Sequence, residues 1–234
     1  MPKISAVIPP KGGIQTIKMT NENNQISGLA LDIDDTIVWT CREWVDVIHE
    51  EFGNPENLTK HEFYEKYRLL HNAPYIQRDD IIARVREICV DERHHENLPL
   101  IEDALPAIER IDNVIPIVTY LTARPECMRE STERWLSRHD FPKLELVMRP
   151  DDVPFGKSAS SWKARALEDL YPRVFGIIDD NPSICLNLSP DYPGTIFLYR
   201  YSGDDMTHTF AVPCGDWSDV IEKVRSHYEK KRIA

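Results

Sequence analysis

Short apolar runs and amphipathic stripes alternate along this chain. Leu29-Ala30-Leu31 is a compact apolar run that ends in Asp32, and such runs bounded by turn residues predict buried strands. From Ile37 to Asn113 the spacing becomes helical. Trp44, Val47, Ile48 and Phe52 make one stripe, Phe63, Tyr67 and Leu70 a second, and Ile81, Ile82, Val85 and Ile88 a third. Gly53-Asn54-Pro55 and Asn72-Ala73-Pro74 separate them, and a fourth helix is predicted over 101–111. Beyond that, strands predicted at 114–121, 144–148, 174–178 and 195–199 alternate with helices at 126–138, 160–170 and near 182–188. A possible edge strand at 208–212 and a last helix at 216–230 follow. Alternation of this kind predicts an α/β fold, a Rossmann-like parallel sheet flanked by helices. The helical stretch is too long for a simple crossover, so residues 41–98 read as a small α-helical subdomain. It is inserted into a core made of 1–40 and 99–234. Residues 1–27, with Pro9-Pro10 and Gly12-Gly13, read as an irregular or hairpin-forming lead-in.

The totals narrow the picture. At 234 residues and 41% hydrophobic, the chain can bury a sizeable core. A net charge of −11 argues against long nucleic acid and anionic membrane surfaces as partners, though not against a small phosphorylated molecule met through a metal. The five cysteines have no paired spacing, which suits a reducing compartment. No signal core and no membrane-length apolar run is found, so a cytoplasmic, soluble protein is expected.

The chemistry gathers at strand ends, where parallel sheets hold their ligands. Asp32-Ile33-Asp34-Asp35-Thr36 closes the first strand and Asp179-Asp180 closes the fourth. Carboxylates crowded together repel strongly, and a hard divalent cation such as Mg²⁺ is the simplest compensation. Thr122-Ala123-Arg124-Pro125 ends the second strand, with Pro125 expected as the first helical residue; a hydroxyl and free amides there suit an anion. Lys163, with Lys157 as competitor, could offset Asp32 from the following helix. Gly156-Lys157-Ser158 imitates the end of a phosphate loop but lacks its first glycine. The His94-His95-Glu96 run reads as a solvated helix end, and Glu229 to Arg232 as a frayed one.

These four pieces, in this order, resemble the haloacid dehalogenase superfamily of phosphohydrolases. The resemblance spans about 28–182, and Asp35 departs from the glycine often found before the threonine. It implies a phosphoric monoester hydrolase with Asp32 as nucleophile and Asp34 as general acid and base. Thr122, the Ala123 amide and Lys163 would hold the transferring oxygens. Mg²⁺ would be held by Asp32, the Asp34 carbonyl and Asp180, with Asp179 close behind. The insert resembles the family's helical cap, which makes Trp39, Arg42, Trp44, Tyr64, Arg68, Tyr75 and Arg78 candidate specificity residues. The expected substrate is a small phosphorylated metabolite and the expected state a monomer or homodimer. A nucleotidase, a phosphatase of polynucleotide ends, a phosphotransferase or mutase, and a binding module that has lost the chemistry stay open as alternatives.

Overall fold

The computed structural model describes residues 19–20, 26–203 and 208–230; most of the predicted lead-in over 1–27 and the end of the frayed terminus lie outside them. Strand β2 (Ile26–Leu31) sits at the centre of the sheet, and β1 (Met19–Thr20) pairs antiparallel with its start. Four helices follow: α1 (Thr40–Phe52), α2 (Lys60–Tyr67), α3 (Asp79–Ile88) and α4 (Glu92–Glu96). The chain then runs through α5 (Ala104–Asp112), β3 (Ile117–Pro125), α6 (Arg129–Arg138), β4 (Glu145–Arg149) and α7 (Lys157–Asp169). It ends with β5 (Val174–Asp179), α8 (Ser183–Asn187), β6 (Thr195–Tyr199), β7 (Ala211–Cys214) and α9 (Trp217–Lys230).

Strands β2 to β7 are parallel, in the order β4-β3-β2-β5-β6-β7. The chain builds outward from β2 in one direction and then outward from β5 in the other. The crevice beyond the carboxyl ends of β2, β3 and β5 is therefore the switch point where such sheets bind ligands. Side-chain alternation divides the core cleanly. Leu29, Leu31, Ile178 and Phe197 join the cluster under α5, α6 and α9, whereas Ala30, Ile177, Ile196 and Leu198 face α7 and α8. Two glycines permit the strands to approach. A Cβ at Gly28 would lie 1.9 Å from the Pro116 carbonyl oxygen, and one at Gly176 would lie 1.8 Å from that of Thr195.

The helical insert is joined to the sheet by a paired neck. The Trp39 amide donates to the Pro99 carbonyl (2.9 Å) and the Ile101 amide to the Ile37 carbonyl (3.0 Å). Val45, Ile48, Phe63, Ile81, Val85 and Ile88 are buried inward, continuous with the apolar cluster on the α5 face of the sheet. Helix α4 rests on α6, where Arg134 pairs with Glu92 and Glu96, and the Trp135 indole donates to the Leu98 carbonyl (2.8 Å).

The structure shifts several predicted boundaries. Val114 and Ile115 do not begin β3; their amides still bond back to the Ile111 carbonyl of α5. Pro125 is not the first residue of a helix. It is extended (φ −69°, ψ 153°) and pairs with Arg149, after a register shift between Thr122 and Pro125 that bends β3 at its functional end. Helix α7 begins at Lys157, three residues before the predicted start. The edge strand falls at 211–214 rather than 208–212.

Candidate active site

Strand register delivers the acids to one place. Leu31 is level with Ile178, so Asp32, one residue past β2, stands beside Asp179, the last residue of β5. The Asp32 amide donates to the Ile178 carbonyl (3.0 Å) and fixes that level. Carboxylate oxygens of Asp32, Asp179 and Asp180 all lie within 4.8 Å of one another, and all three residues are buried. Lys163, on the second turn of α7, reaches them with its Nζ 2.5 Å from Asp32 and 2.7 Å from Asp179. Its competitor Lys157 is exposed at the start of the same helix. The Thr36 hydroxyl also donates to Asp32 (3.2 Å).

The electrostatics follow from that packing. Three buried carboxylates face one buried ammonium, so with all three ionised two negative charges have no counter-charge in the cluster. Burial pushes the Asp32 carboxyl up to about 7 against the pull of Lys163, and Asp179 and Asp34 raise it further. Burial, then Asp35, Asp179 and Asp32, drives Asp180 well above the ordinary carboxylate range. Asp180 Oδ2 has no hydrogen-bond partner among the described residues. Three oxygen donors, a surplus of two negative charges and an orphaned carboxylate oxygen together fit a hard divalent cation such as Mg²⁺.

Asp34 behaves differently. Its carboxylate is held by Arg124, whose Nε and Nη2 groups donate to both of its oxygens at 2.8 to 3.1 Å. The Thr40 hydroxyl adds a 2.6 Å bond. Burial works against ionisation here too, but Arg124 outweighs it and holds Asp34 down at about 2. Asp35 supplies a third environment. Its carboxylate caps α1 by accepting from the Thr40 and Cys41 amides (3.0 to 3.1 Å), with its backbone in the left-handed region at φ 54°. Glycine suits that conformation, and Asp is among the few other residues that adopt it readily.

Thr122 is fully buried at the bent end of β3, where its hydroxyl oxygen accepts from the Arg124 amide (3.2 Å). Ala123 is half-buried, and its carbonyl accepts from Arg149 (2.8 Å). The predicted specificity residues divide. Trp39 and Tyr64 meet edge to face (centroids 5.3 Å apart), with Arg42 stacked 4.3 Å from the Trp39 ring centroid. Arg68 donates to the backbone carbonyls of Asp180 (2.8 Å) and Tyr199 (3.1 Å). Trp44 instead packs on His95, Tyr75 bonds His49 (2.7 Å), and Arg78 pairs with Asp80 at the surface.

Three features escaped the sequence reading. Arg124 carried no assigned role, although it follows directly on the Thr122-Ala123 pair. Arg200 stacks over both Trp39 and Tyr64 from the turn after β6, and no local pattern marks it. His95 is not at a solvated helix end. It is buried, with its Nε2 3.1 Å from the Cys89 carbonyl, because α4 packs its inner side against the sheet domain. The exposed charges of Glu92 and Arg93 on the same short helix hid this.

No protein-family model matches the chain. A protein of Oceanobacillus iheyensis described as a candidate nucleotidase is 25% identical over 114 residues, 49% of this chain. That match spans 60% of the relative's own length, less than two thirds of it. Among solved structures, a dehalogenase superposes with a TM-score of 0.51 at 13% identity, covering 86% of this chain and 97% of the other. A magnesium-bound candidate HAD-hydrolase of Bacillus subtilis, YfnB, gives 0.49 at 15% identity over 85% of this chain and 98% of that one.

Proposed function

We propose a function from one premise: the chain folds as a member of the haloacid dehalogenase superfamily. On this reading it is a Mg²⁺-dependent phosphatase that hydrolyses a small phosphorylated metabolite through an aspartyl-phosphate intermediate. The observation that carries the reading is the buried cluster of Asp32, Asp179 and Asp180, met by Lys163, at the sheet's switch point.

The residues divide the work as follows. Asp32 attacks phosphorus, forming the bond from its carboxylate oxygen as the bond to the leaving oxygen breaks. Asp34, ionised beside Arg124 in the substrate-free chain, takes the proton of an incoming phosphate monoanion and passes it to the leaving oxygen, then removes one from the water that attacks the aspartyl-phosphate. Thr122, the Ala123 amide and Lys163 hold the transferring oxygens. Asp32, the Asp34 carbonyl and Asp180, backed by Asp179, would hold Mg²⁺, which when bound screens the repulsion between carboxylate and phosphate. Residues 41–98 form a cap over the crevice, with 1–40 and 99–234 as the core domain; of the predicted set, Arg68 bonds the Asp180 carbonyl, while Trp39, Arg42 and Tyr64 pack on one another.

The test is phosphate release from a panel of sugar phosphates and mononucleotides with Mg²⁺, run beside Asp32→Asn. Turnover by the wild type and a loss of about a thousandfold or more in the variant are expected. Absence of turnover with every ester, or activity retained by the variant, refutes the reading. The likeness to the candidate nucleotidase favours one second reading, hydrolysis of nucleotides alone, and the same panel decides it.

A further inference from the structure

Arg124 is the most heavily committed side chain near the site that the mechanism above leaves unused. It comes from the bent end of β3, and its side chain is 1% exposed while that of Asp34 is 28% exposed. Its Nε and Nη2 groups both go to Asp34, and its Nη1 group donates to the buried Thr132 hydroxyl on α6 (3.3 Å). An arginine beside a phosphate site is ordinarily assigned to the phosphate. Here the guanidinium lies behind Asp34, sealed from the crevice, with its donors directed at protein oxygens. The fork grips both carboxylate oxygens, so it fixes the plane of the carboxylate as well as its position. Thr40 holds one of the same oxygens from α1, and Thr132 holds the far side of the guanidinium. Asp34 is thereby fixed between the start of the helical insert and the end of β3.

We propose that Arg124 is a positioning residue that acts on the reaction through Asp34: it sets the direction in which the Asp34 carboxylate faces the crevice, and touches neither substrate nor the clustered carboxylates of Asp32, Asp179 and Asp180. The inference rests on the phosphatase reading and on Asp34 as proton carrier. Asp34 serves the step in which a proton goes to the leaving oxygen as its bond to phosphorus breaks. Misdirecting it therefore costs most when that oxygen is a poor leaving group. An aryl oxygen such as nitrophenolate departs without the proton, so esters of that kind are less sensitive.

The experiment compares an alkyl phosphate that the enzyme turns over with p-nitrophenyl phosphate. The proteins are wild type, Arg124→Met, Arg124→Lys, Asp34→Asn and the double variant Arg124→Met/Asp34→Asn. Arg124→Met is expected to lower kcat/KM, which reports only the steps up to the aspartyl-phosphate, about a hundredfold on the alkyl ester and far less on the aryl ester; kcat, which includes the shared hydrolysis step, falls on both. Arg124→Lys keeps the charge without the fork and falls between. The double variant stays within about threefold of Asp34→Asn alone, because a residue that acts only through Asp34 adds nothing once Asp34 is gone. Where Arg124→Met leaves a half-buried carboxylate without its partner and fails to fold, the Lys and double variants carry the test. Equal losses of kcat/KM on both esters, a double variant that multiplies the single losses, or a raised KM at constant kcat overturns the assignment. A wild type without turnover on either ester refutes the phosphatase reading itself, and a wild type that turns over while Asp34→Asn matches it refutes the proton-carrier role.

Discussion

At the scale of single residues, three acids within four positions have three different fates. Asp32 joins a carboxylate cluster, Asp34 joins an arginine, and Asp35 caps a helix with φ 54°. The sequence could place all three at a strand end, but not sort them, because the partners of Asp34 and Asp35 come from β3 and α1. His95 makes the same point with an outcome that can be measured. Burial, aided by Arg124, lowers its imidazole from the ordinary 6.5 to about 4. The unfolded chain takes up its proton near 6.5 while the folded chain stays neutral there. Below that point the unfolded state binds more protons, so stability from this residue is intact above pH 6.5 and is lost as pH falls toward 4. About 3 kcal/mol is at stake, at 1.36 kcal/mol per unit. Buried acids such as Asp32 titrate in the opposite sense, so the comparison is between wild type and His95→Gln. Urea unfolding at pH 7 and pH 4.5 is expected to show the variant gaining on the wild type by 2 to 3 kcal/mol at the lower pH, within about that range. Parallel slopes in the two proteins refute the buried neutral imidazole.

At the scale of elements, the legible part of the site is the part carried by strand ends. Apolar runs ending in Asp32 and Asp179-Asp180 announced both their burial and their chemistry, since a parallel sheet aligns its carboxyl ends. Lys163 was legible because α7 leads straight into β5, so a residue on its inner side faces the acids at that strand's end. Harder to read were the joints. The bend in β3 at Thr122–Pro125 is a register shift against β4, a relation between two strands that no local pattern records. The start of α7 at Lys157 depends on Gly156 at φ 92°. The clustered strand ends also give a prediction about the cation. Asp180 Oδ2 is buried without a partner among like charges, which costs the metal-free protein stability. Asp180→Asn is expected to raise the melting temperature in chelator. Mg²⁺ at a hundred times its dissociation constant should stabilise the wild type by about 2.7 kcal/mol and leave the variant unmoved. Calorimetric scans with EDTA and with Mg²⁺ check both, and an equal Mg²⁺ response in the two proteins places the cation elsewhere.

At the scale of the whole molecule, the insert and the sheet touch the site through different bonds. The neck at 37–39 and 99–101 ties them by backbone pairing beside the crevice. Arg68, directly after the end of α2, ties them across it, with Nη2 shared between the Asp180 and Tyr199 carbonyls and Nη1 on the Arg200 carbonyl. Arg200 answers from the sheet by pairing with Glu65 (2.7 Å) and lying over Trp39 and Tyr64. The neck is continuous chain, whereas the Arg68 and Arg200 contacts can part without breaking any element. The geometry therefore makes the neck the hinge and the arginine pair the latch of any opening motion, with the latch fastened onto the backbone of Asp180 itself. Hydrogen bonds from a charged donor contribute about 1.5 to 3 kcal/mol, while the exposed Arg200–Glu65 pair adds at most about 1 kcal/mol. Loss of Arg68 should thus shift the balance toward an open form far more than loss of Glu65. Arg68→Met is expected to raise KM roughly tenfold and to speed proteolysis at the 53–57 and 68–74 turns of the insert. Glu65→Gln should alter KM by about twofold at most, and that difference should shrink further in high salt. Limited proteolysis and steady-state kinetics on the two variants decide the matter: equal effects would mean that the surface ion pair, rather than the guanidinium on the Asp180 carbonyl, holds the insert down.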